Sequence, residues 1–228
     1  SMALCAEQEA LLEELAEADW RLAAAGEALQ IAPLLALSGT RRNNLLRYWI
    51  RRQGGEMPSR EQLGLLWQEV ALAREDANPQ LNWGGQSCRR FQGRLHLVRP
   101  GLQPRHEQLT LAVGETLILP DGLGEVRLLP RVEGEGLRLP RADEPLSVRF
   151  GVVAGSMLKP VGRGGSRRLK KLLQEYGVPS WQRGRIPILY YGEQVAAVGE
   201  LFLCDGFMTQ GAGLAWHWLP AAASQPPA

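Results

Sequence analysis

The hydrophobic period of this chain changes at Asn78-Pro79, and that change limits the fold more than any single motif does. Ahead of it, apolar residues recur every three to four positions with few breakers, the mark of amphipathic helices. Beyond it, short apolar stretches are separated by Gly, Pro and Asp, the mark of strands joined by turns. Helices first and strands afterwards indicate an α+β architecture, not the alternating βα pattern of a parallel sheet. At 228 residues the chain can form one large domain or two small ones, each with its own core. The expected fold is a mainly helical first domain with a small β element, followed by a β-rich α+β domain.

Residues 3–27 contain no Pro and carry Leu4, Leu11, Leu15, Trp20 and Leu22 at roughly helical spacing, so one long amphipathic helix is predicted. Pro33 and Ser38-Gly39 punctuate its exit. A second helix is predicted over 40–53, stopped by Gly54-Gly55. A third opens at Ser59, with Gln62 completing a capping box, and runs to residue 73. Short strands over 81–83, 87–92 and 94–98 surround Gly84-Gly85 and Gly93. The stretch around Pro100 and Pro104 reads as a linker. Strands are then predicted over 116–119, 125–129, 137–139, 146–153, 188–191, 195–198, 201–204 and 214–218. One helix interrupts them over 167–176, opened by Ser166 and closed by Gly177. The expected domains are a connecting helix (1–27), a helical domain (28–100), a β-rich domain (105–220) and a small, Pro-rich, disordered tail (221–228).

Composition excludes several classes of function. Hydrophobic content of 45% beside 22% charge is that of an ordinary globular chain, and no apolar run reaches the roughly eighteen residues of a membrane span. The first residues lack the basic and apolar regions of a secretory signal. Ser1-Met2 reads as a non-native leader, and the chain is expected to begin inside a longer protein. Cys5, Cys88 and Cys204 are odd in number and widely spaced, which suits a reducing cytoplasm rather than a disulfide framework. His96, His106 and His217 lack metal-ligand spacing, so no structural zinc site is expected.

Catalytic motifs are likewise missing. The loop Gly162-Arg163-Gly164-Gly165-Ser166 has neither the spacing nor the following acid of a nucleotide-hydrolysing P-loop. Phosphate contact by Ser166 and the following helix end is still expected. No GxSxG and no activated cysteine context is present, and Glu133 and Glu135 sit in a Gly-rich turn where carboxylates are solvated.

What rises above background is arginine. Residues 1–27 hold seven acids and one base, whereas the remainder holds 25 bases against 17 acids, a balance of +8. An acidic leader followed by a basic body points to an anionic partner for the body. On the second helix, Leu45, Leu46, Trp49 and Ile50 share one side, while Arg41, Arg47, Arg51 and Arg52 lie opposite with Tyr48. The helix after Ser166 repeats the pattern: Leu169, Leu172, Leu173 and Tyr176 form a stripe, with Arg167, Lys170 and Lys171 opposite and Arg168 at the flank. A merely solvated face would mix signs, because like charges one turn apart repel. With Arg163, the segment 163–171 carries five bases and no acid, the footprint of phosphate binding. Trp49, Trp67, Trp181, Trp216 and Trp218 lie in apolar patterns and are expected in the core; Trp83 is expected to pack its turn rather than stack on a base.

These residues carry a resemblance. The run Arg42-Asn43-Asn44-Leu45-Leu46-Arg47-Tyr48-Trp49-Ile50, then Met57-Pro58-Ser59-Arg60, Asn82-Trp83-Gly84-Gly85 and Arg89-Arg90-Phe91, resembles the substrate-recognition domain of the bacterial tRNA(Ile)-lysidine synthetase family. The run 159–179, from Lys159-Pro160 through Gly164-Gly165-Ser166 to Gly177-Val178-Pro179, resembles that family's C-terminal domain, as does Ile186-Pro187-Ile188-Leu189-Tyr190-Tyr191-Gly192-Glu193. The resemblance implies a ligase that joins lysine to the wobble cytidine of tRNA(Ile), consuming ATP with Mg²⁺, so that AUA is read instead of AUG. It implies that this chemistry belongs to a PP-loop domain marked by an SGGxDS-type loop, which Gly84-Gly85-Gln86-Ser87 and Gly164-Gly165-Ser166 do not match. It further implies that residues 4–27 are the helical connection out of that domain. The β-rich domain is expected to resemble one of the phenylalanyl-tRNA synthetase β-subunit.

The expected role is therefore tRNA binding without catalysis, with no cofactor in this chain. Arg41, Arg47, Arg51, Arg52, Arg163, Ser166, Arg167, Arg168, Lys170 and Lys171 are the candidate contacts. The expected partners are tRNA(Ile) and the PP-loop domain, in the cytoplasm and off the membrane. The rival is a protein-interaction module, in which the acidic helix and the arginine faces dock a catalytic domain or a second subunit.

Overall fold

The computed structural model describes residues 2–74, 77–99, 108–151 and 156–220. The chain folds as two units, 1–100 and 101–228. The expected linker at Pro100 and Pro104 and the tail at 221–228 lie outside the described residues.

The first unit opens with helix α1, Met2–Ala23. It does not run on to residue 27. Gly26, at φ 64°, turns the chain so that strands β1 (Ala24–Ala25) and β2 (Ala28–Gln30) pair antiparallel, Ala25 facing Ala28. The carbonyl of Glu27 at this turn accepts Trp49 Nε1–H at 2.8 Å and Gln53 Nε2–H at 2.7 Å, which fastens the hairpin to a later helix. The expected leucine stripe is corrected too. Leu11 and Leu22 are 65% and 72% exposed, and the buried positions are Ala16, Asp19 and Ala23. Small residues let α1 lie close to its neighbour, so side-chain size overrode hydrophobicity in choosing the packed face.

Helix α2 (Ile31–Leu35) and helix α3 (Gly39–Arg52) follow. Ser38 caps α3 by accepting the Arg41 N–H, and Leu45, Leu46, Trp49 and Ile50 form its buried side as expected. Helix α4 (Arg60–Leu65) has the predicted capping box between Ser59 and Gln62. It passes into a π-helical turn, Leu66–Ala71, that ends the helix two residues earlier than expected. The Arg90 guanidinium donates to the carbonyls of Ala71 and Ala73, satisfying groups left open at that end.

Strands β3 (Gln80–Trp83), β4 (Gln86–Phe91) and β5 (Arg94–Val98) complete a sheet of order β1-β2-β5-β4-β3. Gly84 and Gly85, at φ 51° and 70°, make the two-residue turn between β3 and β4. A Cβ on Gly84 would collide with the Glu56 carboxylate. Trp83 Nε1–H and Gln86 Nε2–H both donate to the Glu56 carbonyl, at 2.8 and 2.7 Å, so Trp83 packs this turn as anticipated.

The second unit holds two five-stranded antiparallel sheets. Their strands are β6 (Leu109–Thr110), β7 (Thr116–Ile118), β8 (Glu125–Arg131), β9 (Gly136–Leu137) and β10 (Leu146–Arg149) in its first half. Strands β11 (Met157–Leu158) and β12 (Arg167–Arg168) pair with each other and lead into helix α5 (Leu169–Glu175). The chain closes with β13 (Ile188–Tyr191), β14 (Gln194–Val198), β15 (Phe202–Leu203), β16 (Met208–Thr209) and β17 (Gly213–Leu219). The sheet orders are β15-β14-β13-β10-β6 and β16-β9-β17-β8-β7. Val126, Leu128, Leu172, Leu189, Val198 and Leu214 belong to their shared core. Trp216 and Trp218 anchor β17 by donating Nε1–H to the carbonyls of Gly199 and Leu123, both at 2.9 Å.

Three expectations are corrected in this unit. The strand expected over 146–153 ends at Arg149, with residues 152–153 outside the described set, and β9 stops at Leu137, three residues before Pro140. The helix expected from Arg167 begins at Leu169. Arg168 is its N-cap residue in extended geometry, and Ser166 does not cap it. Met157 and Leu158 offer strand partners to Arg168 and Arg167, and this long-range pairing overrides a locally plausible helix start.

Candidate nucleic-acid interface

The arginines predicted on α3 do not form one patch. Arg41 is held in a bidentate ion pair with Asp19 of α1, Nε–Oδ2 at 2.8 Å and Nη2–Oδ1 at 2.7 Å, and Asp19 is only 2% exposed. Hydrogen bonding to that carboxylate raises the Arg41 pKa above its ordinary value. Arg52 lies over the Trp20 ring, 5.7 Å from its centroid. Arg47 and Arg51, with Tyr48 and Asn44, line a cavity of about 400 Å³ whose opposite wall is α1 with Glu9 and Glu13. Asn44 Nδ2–H donates to the Leu12 carbonyl at 2.7 Å and bridges the two helices. The neighbouring Arg42, absent from the prediction, stacks on Trp67 at 3.8 Å, and partial burial lowers its pKa.

The second unit gathers its bases more tightly. Arg163, Arg167, Arg168 and Lys171 line one cleft of about 670 Å³, with Gly164, Gly165, Ser166 and Met157. This lining contains four bases and no acid. Pairing of β12 with β11 leaves both of its arginine side chains exposed, and α5 supplies Lys171. Lys170, also exposed, falls outside the cleft lining. Leu169, Leu172 and Leu173 form the buried stripe that fixes α5, whereas Tyr176, predicted with them, is exposed and stacks on Phe202. The acid absent from 163–171 enters from α5 itself. Glu175 pairs with Arg163 at 2.6 Å and approaches Arg167 at 3.7 Å, and hydrogen bonding to Arg163 lowers its carboxyl pKa.

Sequence reasoning missed an adjoining cavity of about 640 Å³ that shares Met157 and Ser166 with the cleft. Its lining has four bases, Arg138, Arg141, Arg149 and Lys159, and three of them are held by a carboxylate. Arg138 pairs with Glu144 at 2.7 and 2.6 Å, Arg149 with Glu193 at 2.8 and 2.7 Å, and Lys159 with Asp205 at 2.6 Å. The Arg138 guanidinium and the Arg141 N–H hold the Glu144 carboxyl down at about 2. The pairs of Arg149 and Lys159 span 44 and 46 residues, a separation at which local pattern carries no signal. Only Lys159-Pro160, directly before the Gly-rich loop, hinted that the basic region began earlier.

Cys88 and Cys204 are buried thiols whose pKa values burial pushes up, to about 12 for Cys204. Such thiols are inert as nucleophiles. No group of three or more His, Cys, Asp or Glu among the described residues is placed to hold a metal ion. No helix among them is long and apolar enough to cross a membrane.

The chain thus has a first unit with arginines distributed along α3 and a second unit with a four-base cleft. A family model described as the TilS substrate binding domain matches residues 29–96, and one described as the TilS substrate C-terminal domain matches residues 146–218. The chain therefore belongs to the TilS family through these two domains, one in each unit. It is 46% identical over 224 residues to a tRNA(Ile)-lysidine synthase of Serratia proteamaculans (strain 568), covering 96% of this chain and 50% of that protein. It is 42% identical over 222 residues to the tRNA(Ile)-lysidine synthase of Salmonella typhimurium (strain LT2), covering 95% and 50%. The chain thus spans about half the length of the curated relatives it matches. A solved structure described as a TILS C-terminal domain aligns with 50% of this chain and 97% of its own, at 22% identity and a TM-score of 0.40.

Proposed function

We propose that this chain is the tRNA-binding portion of a tRNA(Ile)-lysidine synthetase. The cleft of Arg163, Arg167, Arg168 and Lys171 carries the reading, because four bases against one acid, Glu175, which pairs with Arg163 and Arg167 from outside the lining, leave a positive excess that suits a phosphodiester backbone. Ser166 in the cleft wall adds a hydroxyl donor. Lys170, exposed on the same helix, contributes long-range attraction rather than a direct contact. In the first unit, Arg47, Arg51 and Arg52 add secondary contacts, while Arg41 supports them through Asp19. Phosphate contacts position a substrate without reading its sequence, so tRNA identity depends on further contacts to bases or shape. The β-rich unit serves here as a tRNA-binding fold of the phenylalanyl-tRNA synthetase β-subunit kind.

In the whole protein, the ligation of lysine to the wobble cytidine and its conversion of AUG to AUA reading belong to a PP-loop domain. ATP and Mg²⁺ belong there too, in the cytoplasm. This chain's own residues do not fit that pair. The Gly-rich loop leads into strand β12 rather than a helix, and its cleft offers no carboxylate to a divalent cation.

Charge reversal tests the reading. Arg167→Glu with Lys171→Glu is expected to weaken tRNA binding by one to two orders of magnitude, roughly as loss of two phosphate contacts implies. Lys170→Glu alone is expected to do far less. Equal affinity for the wild type and the double variant would reject the cleft as the phosphate site.

One observation favours the protein-docking reading for the first unit. Glu9 and Glu13 already face Arg47 and Arg51 across their cavity, so this arginine face has an acidic protein surface against it. If Arg47→Glu with Arg51→Glu leaves tRNA affinity unchanged while the double variant in the cleft abolishes it, docking is the role of that face.

A further inference from the structure

The cavity beside the four-base cleft has a different chemistry, and it is large enough for a second part of the same ligand. Its 640 Å³ lies within the span of small-molecule sites, about 300–1,000 Å³. Its lining includes Arg138, Arg141, Arg149 and Lys159, but also Glu144, Glu193 and Asp205, so three of its four bases are already neutralised at contact distance. Three carboxylates make it a poor place for another phosphate. They make it a good place for a neutral group rich in donors, such as the exocyclic amine of a base or a ribose hydroxyl.

Arg149 supplies the flat surface such a group needs. Its guanidinium lies on the Tyr190 ring, 4.3 Å from the centroid. Glu193 grips both terminal nitrogens, and the Gly192 carbonyl accepts from one of them at 3.3 Å. The plane therefore cannot turn freely. Tyr190 is buried beneath it, and the Arg149 side chain, 22% exposed, lines the cavity. An immobilised guanidinium with one face covered by an aromatic ring presents its other face for stacking, and RNA bases stack on arginine planes.

We propose that this cavity receives an unpaired nucleoside of an RNA strand, its base stacked on Arg149, while the strand's phosphates lie in the adjoining cleft. The two spaces meet at Met157 and Ser166, so one strand can enter both. This site rests on the tRNA-binding reading, because the phosphates it follows are those of the cleft. Base pairing would hide the face to be stacked, so the site selects an unpaired nucleotide over a duplex.

The test compares three probes on the 228-residue chain: tRNA(Ile), a short single-stranded RNA, and the same strand with its bases removed. Phosphate number is equal in the last two, so the cleft alone binds them equally. The cavity predicts about tenfold tighter binding of the strand that keeps its bases, as stacking on one platform gives. Arg149→Lys retains the charge and loses the plane, and it is expected to reduce intact-strand affinity to the abasic level without changing the salt dependence. Gln194→Trp, which fills the cavity from an exposed position next to Glu193, is expected to do the same; thermal melting of both variants checks the fold. Equal binding of intact and abasic strands would overturn the nucleoside site and leave the phosphate cleft standing, as would binding of tRNA with neither strand bound. Failure of tRNA itself to bind would overturn the proposed function and this site with it.

Discussion

The Arg41 guanidinium and the Asp19 carboxylate, 22 residues apart, form the half-buried bidentate pair that joins helix α3 to helix α1. Asp19 is 2% exposed and sits between Ala16 and Ala23 on the packed face of α1. Removing Arg41 leaves that carboxylate uncompensated, which costs far more than losing a surface pair. Arg41→Ala is expected to lower the melting temperature of the first unit by roughly 5–10 °C, whereas Asp19→Asn with Arg41→Gln loses less. A calorimetric melt of the three proteins checks this. Identical melting temperatures for wild type and Arg41→Ala would show that the pair is ornamental and Arg41 free to meet RNA.

Acid should loosen the second unit through Glu144. Its carboxyl titrates near 2 in the folded chain instead of the usual 4.5, chiefly because Arg138 donates to it. A depressed folded pKa gives stability that is complete above 4.5 and disappears as pH falls toward 2. Urea midpoints measured between those limits should fall with pH in the wild type. Glu144→Gln should show a shallower fall, its midpoint already reduced at neutral pH.

Helix α1 should act as an electrostatic competitor. Glu9 and Glu13 share a cavity with Arg47 and Arg51, yet no ion pair closer than 4.0 Å links them among the described residues. The carboxylates there repel phosphate without neutralising the arginines at contact distance. Glu9→Gln with Glu13→Gln is expected to tighten tRNA binding two- to fivefold at low salt, with the gain shrinking as salt screens it. Unchanged affinity at low salt would indicate that the α3 face lies away from the RNA.

How much of this could be read beforehand depended on how local each feature is. The capping box at Ser59 and Gln62 and the turn at Gly84-Gly85 are set by neighbouring residues, and both were legible. The buried stripe of Leu169, Leu172 and Leu173 was legible because helical periodicity survives a shift in the helix start. That start at Leu169 was not, because it depends on β11, whose residues Met157 and Leu158 lie ten positions upstream of Arg167 and Arg168. Helix α1 misled for a related reason. Its leucines suggest a core face, but contact with α3 requires the small Ala16 and Ala23 and the partner that Asp19 gives Arg41. At the candidate site, the density of bases over 163–171 identified the cleft, while Arg138 and Arg149 came into view only when strands far apart in the chain were placed together.

The salt dependence of tRNA binding by the 228-residue chain tests the central claim most directly. Affinity for tRNA(Ile) would be measured over a series of salt concentrations and plotted as log K against log salt. The four bases of the cleft, engaged with phosphates, contribute about −3 to the slope, each neutralised phosphate giving −0.7 to −0.9. Reversing Arg167 and Lys171 should flatten it by about 1.5. A slope near zero would contradict phosphate binding by the chain, and one indifferent to those two residues would contradict it for the cleft.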